Sequence, residues 1–228
     1  VSIVASRRIP EAAQPIRAAS AYCGSVRCFV ALDLPRPVCN HLAGFAAEVG
    51  SKGKVKWVPP EQMHMTLVFA GELADDDARR LGTALERLAL PPLWLHLQGL
   101  AHFPPRGEPR VLIAELGGQI EILRAAHGEL TARAEDCGVA RDRRPFVPHI
   151  TLGRVKSLFG ALALVQQWQR LGASLRDKPF APTALTLYRS ELRPGGPVHT
   201  PLRRVALAAP TAPAPAPATQ APATPAPD

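Results

Sequence analysis

His64-Met65-Thr66-Leu67-Val68-Phe69-Ala70 and His149-Ile150-Thr151-Leu152-Gly153-Arg154-Val155 decide the reading of this chain. Each opens on a His-x-Thr-Leu tetrapeptide set in apolar, strand-like sequence. Side chains two apart on a β-strand share a face, so each motif presents one imidazole beside one hydroxyl. The chain holds 7 His and 10 Thr in 228 residues, and random placement would give about 0.3 His-x-Thr matches. Two matches, each followed by Leu, exceed that expectation. Both follow a Pro-containing turn, Val58-Pro59-Pro60-Glu61 and Arg144-Pro145-Phe146-Val147-Pro148. The motifs lie 85 residues apart and read as two copies of one supersecondary unit.

The length suits one domain with a sizeable core, or two small lobes sharing one. A hydrophobic content of 46% at a mean hydropathy of zero describes a soluble globular chain. No apolar run approaches the ~20 residues that span a bilayer. Arg7-Arg8 is followed by no continuous apolar core, which argues against a secretory signal. The formal charge of +8 favours an anionic partner such as nucleic acid, although arginine-rich composition alone produces the same excess. The four cysteines, Cys23, Cys28, Cys39 and Cys137, form no Cys-x-x-Cys pair and no zinc-finger spacing. They read as reduced, packed thiols, and hence as a sign of the cytoplasm.

Residues 1–25 lack periodicity and read as a loose extension. Arg27 to Leu34 reads as a strand, and Pro35 to Gly50 as a helix carrying Val38, Leu42, Phe45, Ala46 and Val49 on one face. A short strand Lys56–Val58 and the first motif strand, Met63 to Leu73, follow. Asp75-Asp76-Asp77 opens a helix reaching about Leu90; acidic residues there complement the helix dipole, so the triplet is a helix start and not a metal site. Strands are expected over Leu93–Phe103 and Arg110–Leu116, a helix over Gln119–Cys137, the second motif strand over Pro148–Val155 and a helix over Leu158–Leu171. Thr183–Leu192 and Pro197–Val205 read as a closing pair around Pro194-Gly195-Gly196. Interleaved helices and strands with connections that permit antiparallel pairing make the class α+β. The globular part covers residues 26–207. Residues 208–228 are almost wholly Ala, Pro and Thr, and such a tail is expected to be disordered.

Two imidazoles and two hydroxyls on one surface suit in-line attack on a phosphodiester. A free imidazole titrates near pH ~6.5, so one can be neutral while its neighbour is protonated. The chain resembles the two-histidine (2H) phosphoesterase superfamily, and within it the bacterial and archaeal RNA 2′,3′-cyclic phosphodiesterases (the LigT or ThpR family). Besides the motifs, Phe29-Val30-Ala31-Leu32-Asp33-Leu34, Trp57-Val58-Pro59-Pro60-Glu61, Arg144 to His149 and Arg189-Ser190-Glu191-Leu192 look like family landmarks. The resemblance covers about Val26 to Arg203. It implies a bilobal fold with two pseudo-symmetric lobes of antiparallel sheet, helices packed outside, and a central groove fed by one motif from each lobe. It implies hydrolysis of RNA 2′,3′-cyclic phosphate ends to 2′-phosphomonoesters, with 2′,5′ ligation as the reverse reaction in some members.

On that resemblance His64, Thr66, His149 and Thr151 are the catalytic set. His64 is taken as the acid and His149 as the base, an assignment that the near-symmetry of the motifs leaves open. Thr66 and Thr151 hold the non-bridging oxygens. Arg154, five residues after His149, is a phosphate or ribose contact; the alternative is a surface ion pair. Phe69, five residues after His64, stacks on the terminal base or else packs in the core. Arg141-Asp142-Arg143-Arg144 tracks RNA phosphates or forms a solvated turn. His41, His96, His102, His127 and His199 have no hydroxyl or carboxylate partner at useful spacing and read as surface or satisfied core residues; His199 stands where relatives often have tyrosine. The resemblance implies RNA with a 2′,3′-cyclic phosphate end as partner, tRNA fragments among the candidates. It implies no cofactor, no metal, no membrane, and a cytoplasmic monomer. Three rival readings remain: a metal-dependent phosphodiesterase, which neither motif's lack of an adjacent carboxylate favours; an RNA-end-binding protein without catalysis; and a 2H enzyme for a small cyclic nucleotide or related cyclic phosphate.

Overall fold

The computed structural model describes residues 24–50, 55–157, 159–173, 175, 179–194 and 196–211. The readings placed on residues 1–23, Cys23, Leu158, Gly195 and 212–228 lie outside them. Eight strands and four helices follow in the order β1 (Ser25–Asp33), α1 (Arg36–Val49), β2 (Val55–Trp57), β3 (His64–Ala74), α2 (Asp75–Glu86), β4 (Leu95–Phe103), β5 (Val111–Gly118), α3 (Ile120–Asp136), β6 (His149–Val155), α4 (Ala161–Ala173), β7 (Ala184–Arg193) and β8 (Gly196–Ala206). A single 3-10 turn, Pro60–Gln62, leads into β3.

The strands form one antiparallel sheet in the order β4-β5-β6-β3-β1-β7-β8, with β2 added beside β6. One lobe is β3-β1-β7-β8 backed by α2 and α3; the other is β4-β5-β6-β2 backed by α1 and α4. The two lobes are therefore halves of one continuous sheet, joined where β3 meets β6. Moving along the chain by the 85-residue motif spacing carries β1 onto β5, α1 onto α3, β3 onto β6 and α2 onto α4. The duplication legible in the two motifs thus extends to whole elements. Each half also lends a helix to the other: α1 follows β1 yet packs on β6 and α4, and α3 follows β5 yet packs on β3 and α2.

One apolar core lies between the sheet and the helices. It takes Cys28, Val30 and Leu32 from β1, Leu112, Ala114 and Leu116 from β5, and Met65 and Ile150 from the motif strands. The period of two then sends Phe29, Ala31 and Asp33, and Ile113 and Glu115, to the opposite face. Cys28, Cys39 and Cys137 are free and buried, and burial pushes the Cys28 thiol up to about 11. No helix of the described residues is long and apolar enough to cross a membrane.

Two helix boundaries differ from expectation for local reasons. α2 ends at Glu86, with Arg87 as its C-cap, rather than near Leu90, where the following Pro91 also disfavours helical geometry. α4 continues past Leu171 to Ala173, and Gly172 in its last turn lets it lie against the Leu100 backbone, where a Cβ would come within 2.6 Å of the amide nitrogen. Gly153 has a related duty: a Cβ there would lie 2.7 Å from Val55 and 2.9 Å from the Trp57 ring, so its bareness lets β2 close over β6. Gly153→Ala is expected to destabilise the fold by about 1–3 kcal/mol through overpacking. A chemical denaturation midpoint unchanged from wild type would show that β2 yields freely instead.

Candidate active site

The two motif strands meet at one pairing, Met65 opposite Ile150. Antiparallel register then sets His64 across from Thr151 and Thr66 across from His149, all four on the face turned from the core. Residues directly opposite have Cβ atoms about 4.5–5.5 Å apart, and diagonal neighbours about 7–8 Å. The two imidazoles therefore hold opposite corners of a small quadrilateral and the two hydroxyls the other corners. The sheet brings all four predicted catalytic residues to one place.

Each imidazole is oriented in the same way. His64 donates from Nδ1 to the Gln62 carbonyl at 2.7 Å, and His149 donates from Nδ1 to the Val147 carbonyl at 2.7 Å. The Pro-containing segments before each strand supply these carbonyls two residues upstream. With Nδ1–H committed, each ring leaves Nε2 to exchange a proton in the groove.

Both motif strands carry a β-bulge at the leucine. Leu67 is the extra residue of β3 against β1, and Leu152 the extra residue of β6 against β5. A bulge orphans backbone groups, and here the orphaned carbonyls are met from outside: His127 donates from Nδ1 to Leu67 at 2.9 Å, and the Val58 amide donates to Leu152 at 2.8 Å. The His127 ring also stacks on Phe146 at 4.1 Å, so this histidine serves the motif strand from behind. The bulge sends Leu67 and Val68 both into the core and shifts the alternation by one. Position five after each histidine, which a regular strand would turn to the core, returns to the groove. Phe69 is accordingly 54% exposed, stacked on Phe29 at 5.8 Å and approached by the Arg27 guanidinium at 6.0 Å, which removes its core-packing alternative. Arg154 is exposed, opposite Lys56 and Val111, and makes no ion pair among the described residues.

The walls of the groove hold residues the motif reading did not find. Phe29 stacks on the His64 ring at 4.8 Å, and His199 stands edge-on to His64 at 5.3 Å and to Phe29 at 4.8 Å. His199, read as a surface or core residue, belongs to the site. Burial beside Phe29 holds His64 down at about 4, and burial also lowers His199. Phe103 meets His149 edge-on at 5.0 Å. Register also supplies the carboxylates that neither motif carries in sequence: Asp33 lies opposite His64, and Glu115 opposite His149. Asp33 accepts from Tyr188 at 2.7 Å, Thr186 at 3.0 Å and Arg204 at 3.0 Å. Its Tyr188 partner is raised from the ordinary phenol value, by burial and then by that hydrogen bond.

The remaining sequence candidates fall elsewhere. Arg144 forks onto Asp142 and Arg141 pairs with Glu135, so two arginines of the basic cluster are engaged in exposed ion pairs; Arg144 holds the Asp142 carboxyl down at about 2. Asp76 and Asp77 pair with Arg79 and Arg80 one turn on, as a helix start should. Among the described residues no three His, Cys, Asp or Glu side chains gather as a metal site would need. Asp33 and Glu115 are single acids at groove-side positions of their strands, and only the pairing of those strands sets them beside the imidazoles.

Comparison with known proteins agrees with this fold. The signature of the 2′-5′ RNA ligase superfamily matches residues 34–194. The chain belongs to that superfamily. It is 34% identical to the RNA 2′,3′-cyclic phosphodiesterase of Thermus thermophilus over 80% of its own length and 90% of the relative's. It is 29% identical to the protein of that name from Archaeoglobus fulgidus, over 78% and 98%. Among solved structures, TT0787 of Thermus thermophilus superimposes with a TM-score of 0.61 at 33% identity, covering 79% of this chain and 97% of that one. Escherichia coli LigT complexed with 3′-AMP gives 0.64 at 26%, covering 81% and 99%. This member of the superfamily is an enzyme of phosphodiester chemistry, and its fold is that of the LigT group.

Because burial keeps His64 neutral in the folded protein, the unfolded chain binds more protons between about pH 6.5 and 4. Folding stability contributed by this residue is full above that window and lost as pH falls through it. His64→Asn is expected to flatten part of the slope of stability against pH there. Parallel wild-type and variant slopes in chemical denaturation at pH 4.5 to 7 would refute the burial argument. His127→Phe, which leaves the Leu67 carbonyl unpaired, is expected to cost about 1–3 kcal/mol in the same assay.

Proposed function

We propose that this protein opens RNA 2′,3′-cyclic phosphate ends to 2′-phosphomonoesters, using His64 and His149 as its acid–base pair and no metal. The observation that carries the proposal is the diagonal placement of the two imidazoles about one cross-strand pairing, each with Nε2 left to the groove. A cyclic phosphate set between them has a proton acceptor on one side of phosphorus and a donor on the other. Water attacks phosphorus and gives its proton to one Nε2. The bond from phosphorus to O3′ breaks, and the second imidazole protonates O3′. The product carries a 2′-phosphate and a 3′-hydroxyl.

The assignment made from sequence is retained: His149 takes the proton from water and His64 supplies the proton to O3′. Thr66 and Thr151 donate to the non-bridging oxygens, where fixed donors act most strongly in the transition state. Arg154 brings a planar cationic fork to the phosphate or ribose, and exposed Phe69 offers a face for the terminal base. Relatives named for this activity at 34% and 29% identity support the substrate class. The same groove with a 5′-hydroxyl in place of water would form a 2′,5′ linkage, the reaction for which the superfamily is named.

The test is a short RNA ending in a 2′,3′-cyclic phosphate, incubated with protein in excess EDTA, with the product end identified. Wild type is expected to yield a 2′-phosphate, and His64→Ala and His149→Ala each to lose at least ~10²-fold in turnover while staying folded. Turnover abolished by the chelator, near-wild-type activity in either variant, or cleavage of small cyclic nucleotides alone would overturn the proposal. kcat/KM is expected to follow a bell-shaped pH profile, as paired imidazoles in acid and base roles require. A profile flat between pH 5 and 8 would count against them.

A further inference from the structure

The groove does not end at the two imidazoles. At Arg154 it opens into a recess of about 680 Å³ between α1, the segment from Trp57 to Gln62 and the tip of the β7–β8 hairpin. That volume lies within the ~300–1,000 Å³ usual for a small-molecule site. We propose that this recess is a second nucleotide subsite, which takes the nucleotide preceding the cyclic-phosphate end, with Lys56 on the phosphate that joins the two. The proposal rests on the opening of RNA 2′,3′-cyclic phosphate ends, and it makes the end of an RNA chain, rather than a free cyclic nucleotide, the preferred substrate.

The recess is continuous with the catalytic residues. Gln62, whose carbonyl orients His64, lines it, and so does Arg154. Lys56 lies opposite Arg154 in the β2–β6 pairing, so the two cations share one face of the sheet. Both are exposed, and among the described residues no acidic side chain lines the recess. A Cβ on Gly196 would stand 2.8 Å from the Lys56 Nζ, which places the hairpin tip against the ammonium group. The remaining wall is largely apolar, with Ala46 and Ala47 from α1 and Trp57, Pro59 and Pro60 from the segment before β3. The buried Trp168 ring backs Trp57 at 5.7 Å and steadies that wall. Cations beside a flat apolar wall match a nucleotide, whose phosphate seeks charge and whose base seeks a surface to stack on.

The chemistry sets the direction of the chain. Phe69 and Arg154 each follow a motif histidine by five residues on antiparallel strands, so they stand toward opposite ends of the groove. His64 lies across from Thr151, toward the Arg154 end, and His149 across from Thr66, toward the Phe69 end. The departing O3′ belongs beside His64. In a ribose, C3′ adjoins C4′ and C2′ adjoins C1′. O3′ at the Arg154 end therefore turns C4′ and the 5′-phosphate toward Lys56, and turns C1′ with its base toward Phe69. The preceding nucleoside, attached through that phosphate, enters the recess. The opposite direction would set the terminal base on two cations and the anionic chain against Phe69.

Binding of product-like probes to the full chain tests this without turnover. The probes are a nucleoside 2′-phosphate, the matching 2′,5′-bisphosphate and a dinucleotide ending in the same 2′-phosphate, measured by calorimetry. Relative to the first, the bisphosphate is expected to bind about fivefold tighter and the dinucleotide at least about tenfold tighter. Lys56→Met, at an exposed side chain, should remove most of both gains and lower the slope of log affinity against log salt for the dinucleotide by about 0.7. Ala47→Phe, also at an exposed position, should remove the dinucleotide's added gain and keep that of the bisphosphate. Equal binding of the three probes by wild type, gains that survive both substitutions, or a Lys56→Met variant that weakens all three probes alike would overturn the proposal. Turnover is read separately, as kcat/KM for the dinucleotide 2′,3′-cyclic phosphate over that for the nucleoside 2′,3′-cyclic phosphate. The ratio is expected to be at least about tenfold in wild type and to fall toward one in both variants. A wild-type ratio near one overturns the preference for a chain end. Opening of neither substrate, with the binding gains intact, would reject the reaction and leave the subsite standing.

Discussion

The pairing of Met65 with Ile150 is the constraint on which the rest of the site depends. Both side chains are fully buried, one from each lobe, and both belong to the same core. Their burial fixes the register between lobes, because a slip of one residue on either strand would turn the histidines into the core and the apolar side chains into the groove. The quadrilateral of two imidazoles and two hydroxyls is thus held by hydrophobic packing on the opposite face of the sheet.

The bulges extend that control outward. A strand of strict alternation can offer a groove only every second residue, so His64, Thr66 and then Val68 would line up. Inserting one residue at Leu67, and again at Leu152, gives the helix side two consecutive buried positions and turns Phe69 and Arg154 to the groove. The cost of a bulge is an unpaired carbonyl, offset at Leu67 by His127 and at Leu152 by the Val58 amide. What returns to the groove differs between lobes: an aromatic ring on one side, a guanidinium on the other. A repeated scaffold thereby carries different chemistry at its two ends.

Most of this was legible where periodicity is strong. The motif strands, α1 and α3, and the closing hairpin lie within a few residues of their expected positions, since alternation and helical spacing are local signals. The duplication was legible as well, because it preserves residue types at a fixed offset. The misses share a cause. His199, Asp33 and Glu115 reach the site through register between strands that are distant in sequence, and nothing local announces which positions will face each other. Arg154 and Phe69 were singled out only through family resemblance; from alternation alone an offset of five points to the core face, and nothing in Leu67 or Leu152 as residues announces the bulges that turn it outward. His127 shows the converse, a histidine with no partner at useful spacing in sequence whose partner is a carbonyl 60 residues away.

The inequivalence of the two histidines follows from the same limits. Their sequences are nearly interchangeable, and so are their hydrogen bonds to carbonyls two residues upstream. They part company through neighbours on the outer strands. His64 is covered by Phe29, flanked by His199 and faced by a carboxylate with three donors; His149 meets Phe103 at its edge and an exposed carboxylate. An acid–base pair needs one partner that is neutral and one that is protonated before the reaction begins, and two identical sites could provide that only by chance of titration. The two motifs repeat one local arrangement, and the strands beside them make the surroundings of the two imidazoles unequal.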